Sequence, residues 1–130
     1  MKSIMLAGII VLGATTATVA QEAPDFYKQT YPEHALGAAL QAESALQGEG
    51  AALDPKTREL IALAVAAQIP CAYCSYGHTK NARAEGASEA EIREAVATAA
   101  QVRHWSTVLN GMQYDLDAFK AEVDKMHASN

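Results

Sequence analysis

Two cysteines and a histidine stand close together in the segment CAYCSYGH, residues 71–78. On a helix, Cys74 and His78 lie one above the other on the same face, where a thiol and an imidazole can meet. The thiolate is the reactive form of cysteine, and both a helix N-terminus and a nearby imidazolium favour it. Cys71 lies three residues before Cys74, close enough to form a disulfide once Cys74 is oxidised. The spacing therefore predicts a nucleophilic cysteine, Cys74, with Cys71 as its resolving partner.

A pair of cysteines at this spacing also occurs in other kinds of site. Haem attachment requires a histidine directly after the second cysteine, where this chain has Ser75, so it is excluded. A zinc site made of both cysteines and His78 would need a further ligand, Glu59 or His104. A structural disulfide across so short a loop gains little stability from the cross-link. The favoured interpretation is a redox-active dithiol without metal or cofactor, and the zinc site and the structural disulfide stay open as alternatives.

The elements that position these residues are predicted to be helices. Beyond Ala20 the chain contains three Ile and five Val, with no alternating β pattern, whereas residues that favour helices dominate. The expected fold is an all-α bundle of about five helices. The 130-residue chain has room for one domain, expected to be residues 21–130. Because 28 residues are alanine, the core should be thin, and we expect the protein to form a homo-oligomer.

Capping signals place the boundaries of these helices. The first begins at Pro32 in position N1 and ends at residues 48–50. The second begins at Asp54 and Pro55, and its apolar run at 60–67 makes it central. Proline at position 70 ends that helix and starts the third, which places both cysteines in its first turn and ends at Gly86. A capping box at residues 88–91 starts the fourth, and the fifth covers about 114–126.

The N-terminal segment and the charge balance restrict location and partners. Lys2 and Ser3 precede a stretch of 17 uncharged residues from Ile4 to Ala20, which is the pattern of a secretory signal peptide over residues 1–20. This segment is shorter than the ~20 apolar residues that span a bilayer. The protein is therefore expected to be exported, to the periplasm or outside the cell, where a disulfide is the resting state of two cysteines. A net charge of −5 without a basic cluster excludes nucleic acid as a partner.

Glu59, eleven intervening residues, and then Cys71, Cys74 and His78 occur in a helix, break, helix frame. This pattern resembles the core of the AhpD-like alkylhydroperoxidases within the carboxymuconolactone decarboxylase superfamily. The similarity covers residues 53–101, including the approach at 53–64 and the segment at 86–97. Because the acid, both cysteines and the histidine are in register together, the match is more specific than a cysteine pair alone. The decarboxylase branch lacks the cysteines, so the thiol peroxidase branch is the closer likeness.

The resemblance implies a role for each matching position. Cys74 would attack the hydroperoxide, Cys71 would resolve the sulfenic acid, and His78 with Glu59 would relay protons. If Glu59 faces inward, burial disfavours its charged form, which suits proton transfer near neutral pH. Without the motif, Glu59 would be an ordinary solvated acid near a helix start. Some relatives carry a second histidine between the cysteines, where this chain has Tyr73.

The predicted function is thus that of an exported thiol-dependent peroxidase. Since the lipoamide-type adaptor of cytosolic relatives would be absent outside the cytosol, we expect an exported thiol reductant of another identity. One alternative is a thiol-disulfide oxidoreductase that acts on protein thiols. Another is a non-catalytic, oligomeric helical binding module with a permanent disulfide. His104 beside Trp105 lies outside the family motif and is interpreted as structural.

Overall fold

A computed structural model describes residues 22–128. In this range the chain forms only helices and turns, which confirms the all-α prediction. The helices are α1 (Asp25–Thr30), α2 (Glu33–Gln47), α3 (Pro55–Gln68), α4 (Ala72–Ala84), α5 (Glu89–Gly111) and α6 (Leu116–His127). No helix in this range is long and apolar enough to cross a membrane. The predicted signal peptide at 1–20 lies outside the described residues.

The chain divides into two compact units between Ala52 and Leu53. In the described part of the first unit, α1 packs against α2. The six-residue α1 was not predicted, because it is too short to show a helical period. Pro32 is the N-cap of α2 and not its first residue, and Gly48 ends that helix near the predicted position.

In the second unit, α3 is the helix on which both α4 and α5 pack. The buried side chains that these helices share are Leu63, Ala82, Ala87 and Ile92, with Leu60 packed against them. The central position predicted for the second helix is confirmed in this sense. Its apolar run is only partly covered, however, since the side chains of Ile61 and Val65 are half exposed.

Most predicted helix boundaries in this unit are confirmed by their capping bonds. The Asp54 carboxylate accepts the backbone N–H of Thr57 at 3.0 Å, with Pro55 as the first helical residue of α3. Gly86 follows α4 with a positive φ of 82°, and the Ala87 N–H binds the Ala82 carbonyl at 2.8 Å. This pairing closes a Schellman motif, which requires the left-handed conformation that glycine adopts without strain.

Two boundaries differ from the prediction. The third predicted helix, α4, begins at Ala72, with Cys71 as its N-cap, so Cys71 lies just outside the first turn. The last helix begins at Leu116, because Asp115 accepts the Ala118 N–H at 2.8 Å and caps the helix there. Prolines and apolar periods locate a helix well but locate its first residue poorly, since the cap decides it.

The capping box at the start of α5 is also bonded to the start of α3. Glu91 accepts the Ser88 N–H at 2.7 Å, and Ser88 Oγ accepts the Glu91 N–H at 3.2 Å. The Lys56 ammonium group donates to the same carboxylate at 2.8 Å. These hydrogen bonds, led by that of Lys56, lower the pKa of Glu91 from its ordinary value of 4.5 to about 2. The ionised carboxylate therefore supports two helix starts at once.

Replacing Glu91 with Gln should make stability less dependent on acid pH. Because the folded-state pKa is lowered, the contribution of ionised Glu91 is fully present above about 4.5 and is lost as the pH falls through about 2. We expect Glu91→Gln to melt below wild type at pH 7 and the two melting temperatures to converge toward pH 2, as followed by circular dichroism. Glu94→Gln, which changes an exposed carboxylate on the same helix, should follow wild type. Equal melting of Glu91→Gln and wild type at pH 7 would contradict this account.

Candidate redox site

Cys71 and Cys74 form a disulfide at the N-terminus of α4, with their Cα atoms 5.3 Å apart. The chain reaches this point by leaving α3 after Gln68, because Pro70 cannot continue the helix. The Cys71 N–H binds the Ala66 carbonyl in the last turn of α3 at 3.0 Å. Cys71 Sγ in turn accepts the Cys74 N–H at 3.1 Å. The sulfur of Cys71 is thus both a disulfide partner and the helix cap.

The last turn of α3, which holds Cys71, is itself held by α5. Arg103 donates to the Gln68 side-chain oxygen at 2.7 Å and to the Gln68 backbone carbonyl at 3.0 Å. The Gln68 side-chain amide donates to the Ala99 carbonyl. Sequence reasoning missed Arg103, because no local motif marks a contact between residues 35 positions apart. Three helices therefore determine where the disulfide lies.

Glu59 and His78 form a hydrogen-bonded pair between α3 and α4. The distance from His78 Nδ1 to Glu59 Oε2 is 2.8 Å. Glu59 is buried, with 9% of its surface exposed, whereas the side chain of His78 is 35% exposed. An ionised carboxylate only accepts hydrogen bonds, so Nδ1 donates in that state and the other ring nitrogen is left for proton exchange. Glu59 thus faces inward, as the motif required.

The disulfide form shows no hydrogen bond between Cys74 and His78, which their spacing predicts to meet on one helix face. Both residues belong to α4, four positions apart. Within residues 22–128, however, the hydrogen bond of His78 goes to Glu59 and none joins its ring to either sulfur. The structure therefore brings together Glu59 of α3 with His78 of α4, and Cys71 with Cys74 at the start of α4. The catalytic roles of these residues remain predictions.

The remaining candidate residues lie at the surface. Tyr73, between the cysteines, is 92% exposed, and Tyr76 is 70% exposed with the Lys80 ammonium 5.7 Å from its ring centre. His104 and Trp105 are exposed on α5 and contact each other edge to face. Among residues 22–128, no group of three or more His, Cys, Asp or Glu is arranged to hold a metal ion.

Residues 34–115 match the carboxymuconolactone decarboxylase family, and this range contains the whole candidate site. The chain belongs to this family. The match confirms the resemblance inferred from the motif, since the family includes AhpD-like proteins as well as decarboxylases. Because the family includes both kinds of protein, membership alone does not indicate a redox role. The pair of cysteines is the feature that suggests one.

A curated relative that the chain matches in part is uncharacterized protein 4 in cox locus from Paracoccus denitrificans. It is 50% identical over 52 residues, which are 40% of this chain and 47% of the relative. The chain therefore spans about half the length of this relative.

The contributions of Glu59 and His78 to the free energy of unfolding should be coupled, because each residue satisfies the other. His78→Ala leaves the buried carboxylate without its partner, and the free energy of unfolding of the oxidised protein should fall by about 1–3 kcal/mol. Glu59→Leu combined with His78→Ala should cost less than the sum of the single variants, because the double variant buries no unpaired group. Urea denaturation gives the free energy of unfolding of wild type, the two single variants and the double variant. Asn81→Ala, exposed on the same helix, is the control, and additive costs would show that the pair is not coupled.

Proposed function

We propose that the protein is an exported, thiol-dependent peroxidase that reduces hydroperoxides through Cys71 and Cys74, with Glu59 and His78 relaying protons. The observation that carries this proposal is that the first two turns of α4 hold both the disulfide and His78, whose imidazole is bonded to the buried Glu59 carboxylate of α3. A disulfide that only cross-links the chain does not require a carboxylate–imidazole pair such as Glu59–His78 beside it. A redox dithiol needs it, because each half of the cycle moves protons as well as electrons.

In the proposed reaction the thiolate of Cys74 attacks one oxygen of the hydroperoxide. A sulfur–oxygen bond forms, the oxygen–oxygen bond breaks, and the leaving alkoxide takes a proton to become an alcohol. The thiolate of Cys71 then attacks the sulfenic acid of Cys74, which forms the disulfide and releases hydroxide, protonated to water. The peroxide gains two electrons and the two thiols lose them. A thiol reductant outside the cytosol returns them.

His78 and Glu59 are suited to the proton steps of this cycle. The imidazole lies one turn after Cys74 on α4, and the buried carboxylate fixes the ring through Nδ1. A ring whose orientation is fixed in this way can exchange a proton at its other nitrogen without reorganising. Tyr73 replaces the second histidine of some relatives and points into solvent, so the relay in this chain consists of one imidazole and one carboxylate.

Exposed apolar side chains support the proposed homo-oligomer. Val102 and Trp105 on the second half of α5, and Met112 directly after it, are more than half exposed, and Leu116 at the start of α6 is 63% exposed. Apolar surface of this extent on one unit is typical of a surface that another chain covers. The small shared core of α3, α4 and α5 has the same implication, because its buried cluster consists of only one leucine, one isoleucine and two alanines.

Exchange with protein thiols is the second candidate function. The observation in its favour is the exposure of Tyr73 and Tyr76 beside half-buried sulfurs, which leaves room for a large partner. A peroxidase consumes peroxide in proportion to the thiol supplied, whereas a disulfide exchanger oxidises a reduced test protein and leaves peroxide unchanged. A binding module with a permanent disulfide does neither.

The Cys71→Ser variant should separate the two steps of the cycle. We expect reduced wild type to consume cumene hydroperoxide and to become a disulfide. In Cys71→Ser, one equivalent of peroxide should leave a sulfenic acid on Cys74, since no second thiol can resolve it. Labelling with dimedone and peptide mapping detect this product. A dimedone adduct on Cys71 in the converse variant, Cys74→Ser, with none on Cys74 in Cys71→Ser, would reverse the assignment.

Glu59→Gln should fold normally and turn over slowly. The amide oxygen can still accept the hydrogen bond from His78, so the geometry is kept, but the amide cannot take up a proton. Loss of a general acid–base group typically slows a reaction by ~10²-fold or more. The measurement is peroxide consumption at saturating thiol, with Glu94→Gln as an exposed control of equal charge change. Wild-type turnover in Glu59→Gln would remove Glu59 from the relay.

A further inference from the structure

We propose that the reductant attacks the sulfur of Cys74, so that Cys71 leaves the disulfide as a thiolate that caps helix α4. This assignment rests on the proposed function only in requiring that an external thiol opens the disulfide. It gives the two sulfurs different tasks in the reductive half of the cycle, for which the motif by itself makes no distinction.

The hydrogen bonds of the two sulfurs differ. Cys71 is the N-cap of α4, and its Sγ accepts the Cys74 N–H at 3.1 Å. The first turn of α4 contains no acidic residue that would oppose a negative charge there. A helix N-terminus carries roughly half a positive charge, and hydrogen bonds to an anion are stronger than hydrogen bonds to a neutral sulfur. The structure thus already holds the donor that a Cys71 thiolate needs.

Cys74 lacks this support. It is the third residue of α4, and within residues 22–128 its Sγ has no hydrogen-bond donor. The imidazole that is closest along the helix, His78, is bonded to Glu59. In thiol–disulfide exchange the sulfur that forms the more stable thiolate is the better leaving group. The unequal hydrogen bonding therefore favours departure of Cys71 and attack at Cys74.

Reduction of the disulfide takes two exchange steps. A reductant thiolate forms a bond to Cys74 Sγ, the bond between the two cysteines breaks, and the electron pair goes to Cys71 Sγ. A second reductant thiolate then attacks the reductant sulfur of this mixed disulfide and releases Cys74 as a thiolate. The reductant leaves as its disulfide, having lost two electrons, and the protein has gained two. Both thiolates can then take protons from water.

This assignment joins the two halves of the proposed cycle. After reduction the stabilised thiolate at Cys71 is the group that attacks the sulfenic acid of Cys74 in the next turnover. Cys74 therefore contacts both outside reactants, the peroxide and the reductant, whereas Cys71 only opens and closes the disulfide. Stabilising one thiolate also favours the reduced protein, so the disulfide should be reduced readily, in contrast to a permanent cross-link.

Trapping the mixed disulfide tests the assignment in the full chain. Oxidised protein is mixed briefly with glutathione, quenched with acid and N-ethylmaleimide, and digested with trypsin. Both cysteines then lie in the peptide 59–80, where fragment ions between them locate each adduct. We expect glutathione on Cys74 and maleimide on Cys71. The reverse pattern, or equal amounts of the two, would overturn the proposal.

Single-cysteine variants provide an independent measurement. Cys74→Ala keeps the backbone N–H that donates to Cys71 Sγ, and Cys71→Ala is the matched variant that leaves Cys74. We expect alkylation by iodoacetamide to reach its half-maximal rate at a pH at least one unit lower for Cys71 than for Cys74. An equal or higher midpoint for Cys71 would contradict the capping argument.

The outcome also distinguishes this inference from the proposed function. Glutathione on Cys71, together with normal peroxide consumption, would overturn only the inference. Glutathione on Cys74 without any peroxide consumption would overturn the peroxidase proposal and leave the inference standing. A disulfide that thiols do not open in the native protein would contradict both.

Discussion

The hydrogen bond between Glu59 and His78 is the interaction on which the candidate site depends. The side chain of Glu59 is only 12% exposed, and a carboxylate buried to this extent is tolerable only with a partner, which here comes from a different helix. The bond therefore fixes the rotation of α4 relative to α3. Once α4 has this rotation, its N-terminal turn lies at the end of α3, where Pro70 interrupts the chain and Cys71 caps the next helix. The Glu59–His78 pair and the disulfide are thus positioned by one packing arrangement.

The surroundings of the disulfide fit a bond that opens and closes better than they fit a structural cross-link. A disulfide between residues three apart constrains little of the unfolded chain, and the helices are held by caps and side-chain contacts without it. Arg103 binds the end of α3, and Lys56 joins the starts of α3 and α5. The fold can therefore lose and regain the disulfide while the elements around it stay in place, which is what a redox cycle requires.

Local chemistry explains which parts of this structure the sequence predicts. Asp54, Ser88 and Gly86 act through bonds to residues within a few positions, so their caps follow from the sequence alone. Lys56 and Arg103 act across 35 residues, and their partners depend on how helices pack. The inward direction of Glu59 lies between these cases. Its position in a helix is local information, but its burial follows only from the register with the cysteine motif.

The proposed function requires that the two cysteines transfer electrons to a hydroperoxide. In the most direct measurement, the protein is first reduced and the reductant is removed. The reduced protein is then titrated anaerobically with cumene hydroperoxide while free thiols are counted. The account predicts that two thiols disappear for each peroxide consumed and that the product contains the Cys71–Cys74 disulfide. Two thiols that persist in the presence of excess, unconsumed peroxide would contradict it.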